Sequence, residues 1–243
     1  GAKVDALVAD GKSSAYIRAE VEQNGRTSLV ELELAVGGQS LAQINKQRVK
    51  KFRDLGDTVR VVVFSPDDLD LIKGSPAIRR SLLDDALASI SSQFRAVRTD
   101  FDRILRQRNN LLKQARGRLT ADLEASLVIW NQQLVDVADE IGEQRSRFVS
   151  NIEPVVTNFY RRVAGTNDEV SLRLDASWLE EGLAKSLVSA QDEEIRRGIT
   201  LVGPHRDDLI ILLDHLHSRT HASQGEQRSL ALALRLSIHA YVA

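Results

Sequence analysis

Apolar and polar residues alternate through the first forty positions. Tyr16, Ile17, Ala19 and Val21 lead to Asn24-Gly25, and Leu29, Val30, Leu32, Leu34 and Val36 follow. Leu32, Leu34 and Val36 share one face at period two, with Glu31, Glu33 and Ala35 opposite. Asn-Gly between two such runs predicts a hairpin, because both central positions of a type I′ turn take positive φ. Gly37-Gly38 closes the second strand. Thr58 to Phe64 is β-branched and apolar except for Arg60, which predicts a mostly buried strand.

The period lengthens at Pro76, a residue suited to a first helical turn. Ile78, Leu82, Leu83, Ala86, Leu87 and Ile90 line one helical face. A second stripe runs from Phe94 to Ala115 and a third from Leu123 to Ile152, spaced mostly by three or four. With Gly117 between them, they predict a long antiparallel helical hairpin, each arm roughly 40 Å at 1.5 Å per residue. Pro154 is expected to break or restart the second arm. Val170, Leu172 and Leu174 alternate again as a strand, and Leu179 to Arg197 reads as a helix. Ile199–Val202 and Leu209–Leu213 read as short strands flanking Gly203-Pro204-His205-Arg206-Asp207-Asp208. A last helix begins near Gly225 and is apolar nearly all round, which predicts burial. Strands, then helices, then strands and a helix predict a mixed α/β fold with a helical insertion. The expected partition is 1–75 with 166–243, and 76–165 inserted between them.

Composition narrows the classes. A 42% hydrophobic fraction in 243 residues supports a sizeable core. No run approaches ~18 uninterrupted apolar residues, so no span across a bilayer is expected. The first residues show no basic-then-apolar leader, so secretion is not expected. Cysteine is absent, which excludes disulfides and thiolate chemistry and fits a reducing cytoplasm. Methionine is absent too and the chain begins with Gly, which suggests a fragment. The net charge is −1, so contact with nucleic acid must come from a local patch.

Candidate chemistry follows from local patterns. Asp10-Gly11-Lys12-Ser13 lacks the upstream glycine of a phosphate loop and precedes a strand, so it reads as a polar loop. Ser223-Gln224-Gly225-Glu226 opens the last helix. It is either an anion-binding helix N-terminus or a plain N-cap. His215, His217 and His221 with Asp214 are either a metal cluster of irregular spacing or surface histidines. His205 lies in the loop between two short strands, where active-site loops often lie. No serine is placed to complete a nucleophilic triad with it. Lys46, Arg48, Lys50, Lys51 and Arg53 stand in an acid-free stretch; the first four, with Lys73, Arg79 and Arg80, are candidates for DNA phosphate contacts. Residues 95–118 hold eight basic residues against two acidic, either a phosphate-facing surface or a solvated helix face.

Three segments together resemble one family. Val63-Phe64-Ser65-Pro66-Asp67-Asp68-Leu69-Asp70-Leu71-Ile72-Lys73-Gly74-Ser75-Pro76, Gly203-Pro204-His205-Arg206-Asp207-Asp208-Leu209 and Thr220 to Leu230 occur in the order of the bacterial RecF recombination family. The resemblance implies an ABC-type ATPase head related to SMC and Rad50 heads, with a helical domain in place of their coiled coil. It implies ATP and Mg²⁺ as cofactors and an ATP-dependent homodimer. Ser223, Gln224, Gly225 and Glu226 would form the signature motif, acting in trans on nucleotide held by the partner subunit. The Walker A loop would lie before Gly1 and the Walker B strand after Ala243. Where related heads carry a Q-loop glutamine, Pro66 and Asp67 stand instead. The implied function is recombinational DNA repair, replication and the SOS response, with the ATP-driven dimer helping to load recombinase on single-stranded or gapped DNA. Gapped, junction or single-stranded DNA would be bound, RecO and RecR would be partners, and ATPase activity would be weak. The alternatives are another SMC-like head or a non-catalytic helical adaptor.

Overall fold

The computed structural model describes residues 3–242 except 24, 50–51, 53–54, 56–64 and 119. Contacts divide the chain into two compact units, Gly1–Val62 and Val63–Ala243. The expected strand at 58–64 lies outside the described residues.

In the first unit, β1 (Ser14–Gln23) and β2 (Arg26–Ala35) pair antiparallel from Ser14↔Ala35 to Gln23↔Arg26. Gly25 takes φ 73°, as a tight turn at that point requires. The meander continues through β3 (Leu41–Ile44) and β4 (Gln47–Arg48), in sheet order β1-β2-β3-β4. The alternation predicted its outer face. Tyr16 Oη donates to Glu33 (2.9 Å) and Arg18 Nε to Glu31 (2.8 Å) across the β1–β2 pair.

The second unit is helix on sheet. A 3₁₀ turn at Pro66–Leu69 leads into α1 (Asp70–Lys73), then α2 (Pro76–Ile90), α3 (Ser92–Ala115) and α4 (Ala121–Ala164). β5 (Val170–Asp175), α5 (Trp178–Glu181) and α6 (Leu183–Arg197) follow. β6 (Asp208–Leu213), β7 (Leu216–His217), α7 (Ser218–His221) and α8 (Gln224–Val242) complete it. The sheet order is β5-β6-β7, all antiparallel. One core runs through Leu83, Phe94, Phe148, Ile152, Leu172, Ile211, Leu230 and Leu234. Helices α2–α4 therefore share their apolar interior with the sheet and α8.

Three expectations need correction. Pro154 does not break the second arm; it lies inside α4, which runs unbroken for 44 residues. That is ~66 Å at 1.5 Å per residue, not 40 Å. Pro154 faces solvent, where water can satisfy the carbonyl freed at Ser150, while Ile152 and Val156 stay buried on either side. Residues 199–202 form no strand, because side chains take up their backbone donors. Thr200 N–H donates to Asn109 Oδ1 (2.7 Å) and Leu201 N–H to Glu194 Oε1 (2.7 Å). The single helix expected over 179–197 is two, parted at Gly182, whose φ is 84°. Where α5 meets α4 the chains nearly touch. A Cβ at Gly142 would stand 2.6 Å from Leu179 Cδ2 and 2.7 Å from Cη2 of the buried Trp178 ring, so a larger residue would force that ring to shift.

Candidate functional site

The start of α8 is held from below and open above. Asp214 and His215, both at positive φ, turn β6 back into β7. Buried Ser218 then donates its hydroxyl to the Ile211 carbonyl on β6 (2.8 Å). Gln227, 3% exposed, spans Ser218 O and Arg219 O with its amide at 3.1 and 3.3 Å. This chain of bonds keys the first turn of α8 to the sheet. Ser223 and Glu226 close a capping box: Ser223 N–H donates to Glu226 Oε2 (2.6 Å) and Glu226 N–H to Ser223 Oγ (3.3 Å).

Ser223, Gln224 and Gly225 all face solvent. A Cβ at Gly225 would come no nearer than 4.0 Å to any neighbour, so backbone at this point is open to an approaching group. The first-turn amides of Gln224 and Gly225 have no partner among the described residues. The two readings of this segment are thus compatible. Ser223 is an N-cap, and the capped terminus still presents free donors at the positive end of a long helix. Two groups beneath it are buried without a hydrogen bond, Tyr160 Oη and Gln227 Oε1. Burial first, then the Glu226 carboxylate, raises the Tyr160 phenol to about 12.

The Gly203–Asp208 loop does not present an open active site. Asp207 accepts from Arg145 Nη1 (2.9 Å) and Trp178 Nε1 (2.7 Å), and Arg145 pairs with both oxygens of Asp84. Burial raises the Asp207 carboxyl to about 6 against the pull of Arg145. His205 touches Thr200 O with Nε2 (3.1 Å), and burial lowers its imidazole to about 4. This loop joins α2 and α4 to the sheet. Sequence reading missed Arg145 and Trp178, because their partners Asp84 and Asp207 lie on distant segments and local pattern gave no sign of a buried charge network.

The cationic candidates divide. Arg79 is 4% exposed and clamps Asp208 through Nε and Nη2 at 2.7 and 2.8 Å, with Nη1 on Leu71 O and Gly74 O. Its guanidinium is fully occupied inside the protein, so the expectation that it meets phosphate is corrected. Arg80 is half-buried and donates to the Asp207 carbonyl (2.6 Å), lining a 310 Å³ cleft with Ser81, Arg98 and Phe101. Lys73 is exposed at the end of α1. In the first unit, Lys46 and Arg48 are exposed in the β3–β4 turn and on β4. Lys50 and Lys51 lie outside the described residues. His215, His217 and His221 are all exposed, and no group of three or more His, Asp or Glu able to hold a metal ion occurs among the described residues.

The segments that carried the resemblance now have visible roles. Asp68 accepts Ser65 N–H (2.7 Å) and, on its other oxygen, Arg235 of α8 (2.6 Å). Asp207 and Asp208 hold Arg145 and Arg79. No family model matches the chain. Curated relatives do. The chain is 39% identical over 245 residues to the DNA replication and repair protein RecF of Streptomyces avermitilis, covering 95% of this chain and 65% of that protein. It is 34% identical over 266 residues to the RecF of Beutenbergia cavernae, covering 97% of this chain and 67% of that protein. The chain thus spans about two thirds of its relatives' length. A solved structure described as the recombination mediator protein RecF with ATP in the RecFOR pathway superposes with a TM-score of 0.75. It is 25% identical and is matched over 98% of this chain and 66% of its own. The fold is that of an ABC-type ATPase head, and the chain belongs to the RecF family of DNA replication and repair proteins.

Proposed function

We propose that the chain is the central part of an ATP-dependent recombination mediator that binds DNA during replication and gap repair. Residues 1–75 and 166–243 form the ATPase head in this reading, and 76–165 form the inserted helical domain. The Walker A loop and Walker B carboxylates belong to the remainder of the protein. ATP, with Mg²⁺, drives dimerisation. Slow hydrolysis resets the dimer, so that nucleotide acts as a switch. RecO- and RecR-type mediators are the expected protein partners, and a reducing cytoplasm is the expected compartment. No helix among the described residues is long and apolar enough to cross a membrane.

One observation carries this reading. The first turn of α8 is rigidly seated, yet Ser223 and the backbone at Gly225 are exposed with unpartnered amides. A helix N-terminus arranged so binds a phosphate brought to it from outside. Donors that face solvent rather than the interior of their own chain suit a role in trans, where the γ-phosphate arrives on the partner's nucleotide.

The test uses the full-length protein. Ser223→Arg places a long side chain where that phosphate docks, and Ser223→Ala removes only the cap, worth about 1 kcal/mol. ATP should still bind the Arg variant, since the phosphate loop lies elsewhere, while turnover falls to background. Turnover in the Arg variant equal to that of the Ala variant would remove the signature role.

A further inference from the structure

Helix α3 and the turn after it contain no acidic residue between Asp102 and Asp122. The structure sorts the cations of this region. Arg108 is fully buried against Glu194, Arg98 pairs with Asp84 and Asp85, and Arg103 pairs with Asp100. Arg95 donates to the Ala88 carbonyl (2.6 Å). Arg106, Lys113, Arg116 and Arg118 are left. All four are exposed, and none has an ion pair or a side-chain hydrogen bond among the described residues.

These four are gathered at one end. Lys113 is seven positions after Arg106, two turns, so they share a face about 10 Å apart. Arg116 caps α3 in the left-handed conformation at φ 45°, and Arg118 follows Gly117. The last turn of α6 lies alongside. A Cβ at Gly198 would stand 3.5 Å from Lys113 Cα, and Thr200 bonds Asn109. That brings in Arg196 and Arg197, both exposed and sharing the single acid Glu193. Asp122 and Glu124 stand in the first turn of α4, where a helix N-terminus stabilises them.

A merely solvated face looks different in this protein. On α4 and α6, Arg147 pairs with Glu143 and Arg196 and Arg197 with Glu193, while Arg161 donates to the Asp168 carbonyl and Arg162 lies over the Phe159 ring. The end of α3 lacks such pairing although the whole chain is slightly acidic. Unpaired like charges repel, and a polyanion relieves that repulsion. Three of the four are arginines, whose planar fork matches phosphate oxygens. From Arg106 to the turn is about 15 Å of helix. At 3.4 Å per phosphate on one strand, that is the length of roughly four nucleotides.

We propose that Arg106, Lys113, Arg116 and Arg118 form a sequence-independent surface for the phosphate backbone of nucleic acid, at the far end of the helical hairpin. The inference rests on the DNA-binding reading above and adds a site to it.

The test titrates salt against binding of fluorescent duplexes of two unrelated sequences to full-length protein. One variant carries Arg106→Glu, Lys113→Glu and Arg116→Glu. A second carries Arg147→Glu, Arg162→Glu and Arg173→Glu, the same charge change on other exposed positions. The first should bind both duplexes at least tenfold more weakly at low salt, with a slope of log K against log salt shallower by about 3. The second should keep the wild-type slope. Absence of binding by the wild type removes the DNA reading and this surface with it. Wild-type binding with equal slopes in both variants overturns the surface alone. If the first variant loses polyglutamate but not duplex, the surface takes an acidic protein segment, and the proposal fails.

Discussion

His205 and Asp207 stand two residues apart in one buried loop and titrate in opposite senses. Burial holds His205 neutral down to about 4, below its ordinary 6.5. As pH falls through that window the unfolded chain takes up a proton that the folded chain refuses, so stability is lost. Asp207, raised from 3.8 to about 6 by the same burial, protonates earlier in the folded chain. Its contribution therefore grows as pH falls from about 6 to about 4. The two effects offset in the wild type. His205→Asn removes only the first, so the variant's deficit in urea denaturation should shrink by ~2 kcal/mol from pH 7 to pH 5. A deficit independent of pH would contradict the assignment of a neutral buried imidazole.

Among elements, α3, α4 and α6 meet around one charge. Arg108 donates to Glu194 (2.6 Å), Thr200 (2.7 Å) and Asn131 (2.8 Å), with Arg108 and Glu194 both wholly buried. Removing one partner strands the other, so Arg108→Met should cost ~3–5 kcal/mol in chemical denaturation. Adding Glu194→Gln to it should restore most of that loss, since the neutral amide needs no counter-charge and keeps an acceptor for the Leu201 N–H. A double variant no more stable than the single one would show that packing, not charge, sets the cost. None of this was legible in the sequence. Period and turn signals report what a residue does within a dozen positions, and they served for the β1–β2 hairpin, the start of α2 and the buried α8. Arg108 and Glu194 are 86 residues apart. Each reads as a polar position on a helix. The loop at 199–202 was misread for the same reason, because its partners Asn109 and Glu194 lie on other helices. The α8 terminus was legible because its cap, glycine and apolar body are contiguous. What the sequence left open there was whether an N-cap would use up the first-turn donors, and the exposed amides of Gln224 and Gly225 show that it does not.

For the molecule as a whole, the account rests on two subunits meeting across nucleotide. In the proposed reading Ser223 to Glu226 are the donor side, and the phosphate loop they would face lies in the remainder of the protein. Substitution at Ser223 should therefore separate two properties that a one-subunit enzyme would lose together. Sedimentation velocity of full-length Ser223→Arg, with and without ATP, reads that separation directly. The account predicts wild-type protein that shifts from monomer to dimer on adding ATP, and a variant that binds ATP yet sediments as a monomer. A Ser223→Arg protein that still dimerises with ATP would contradict it.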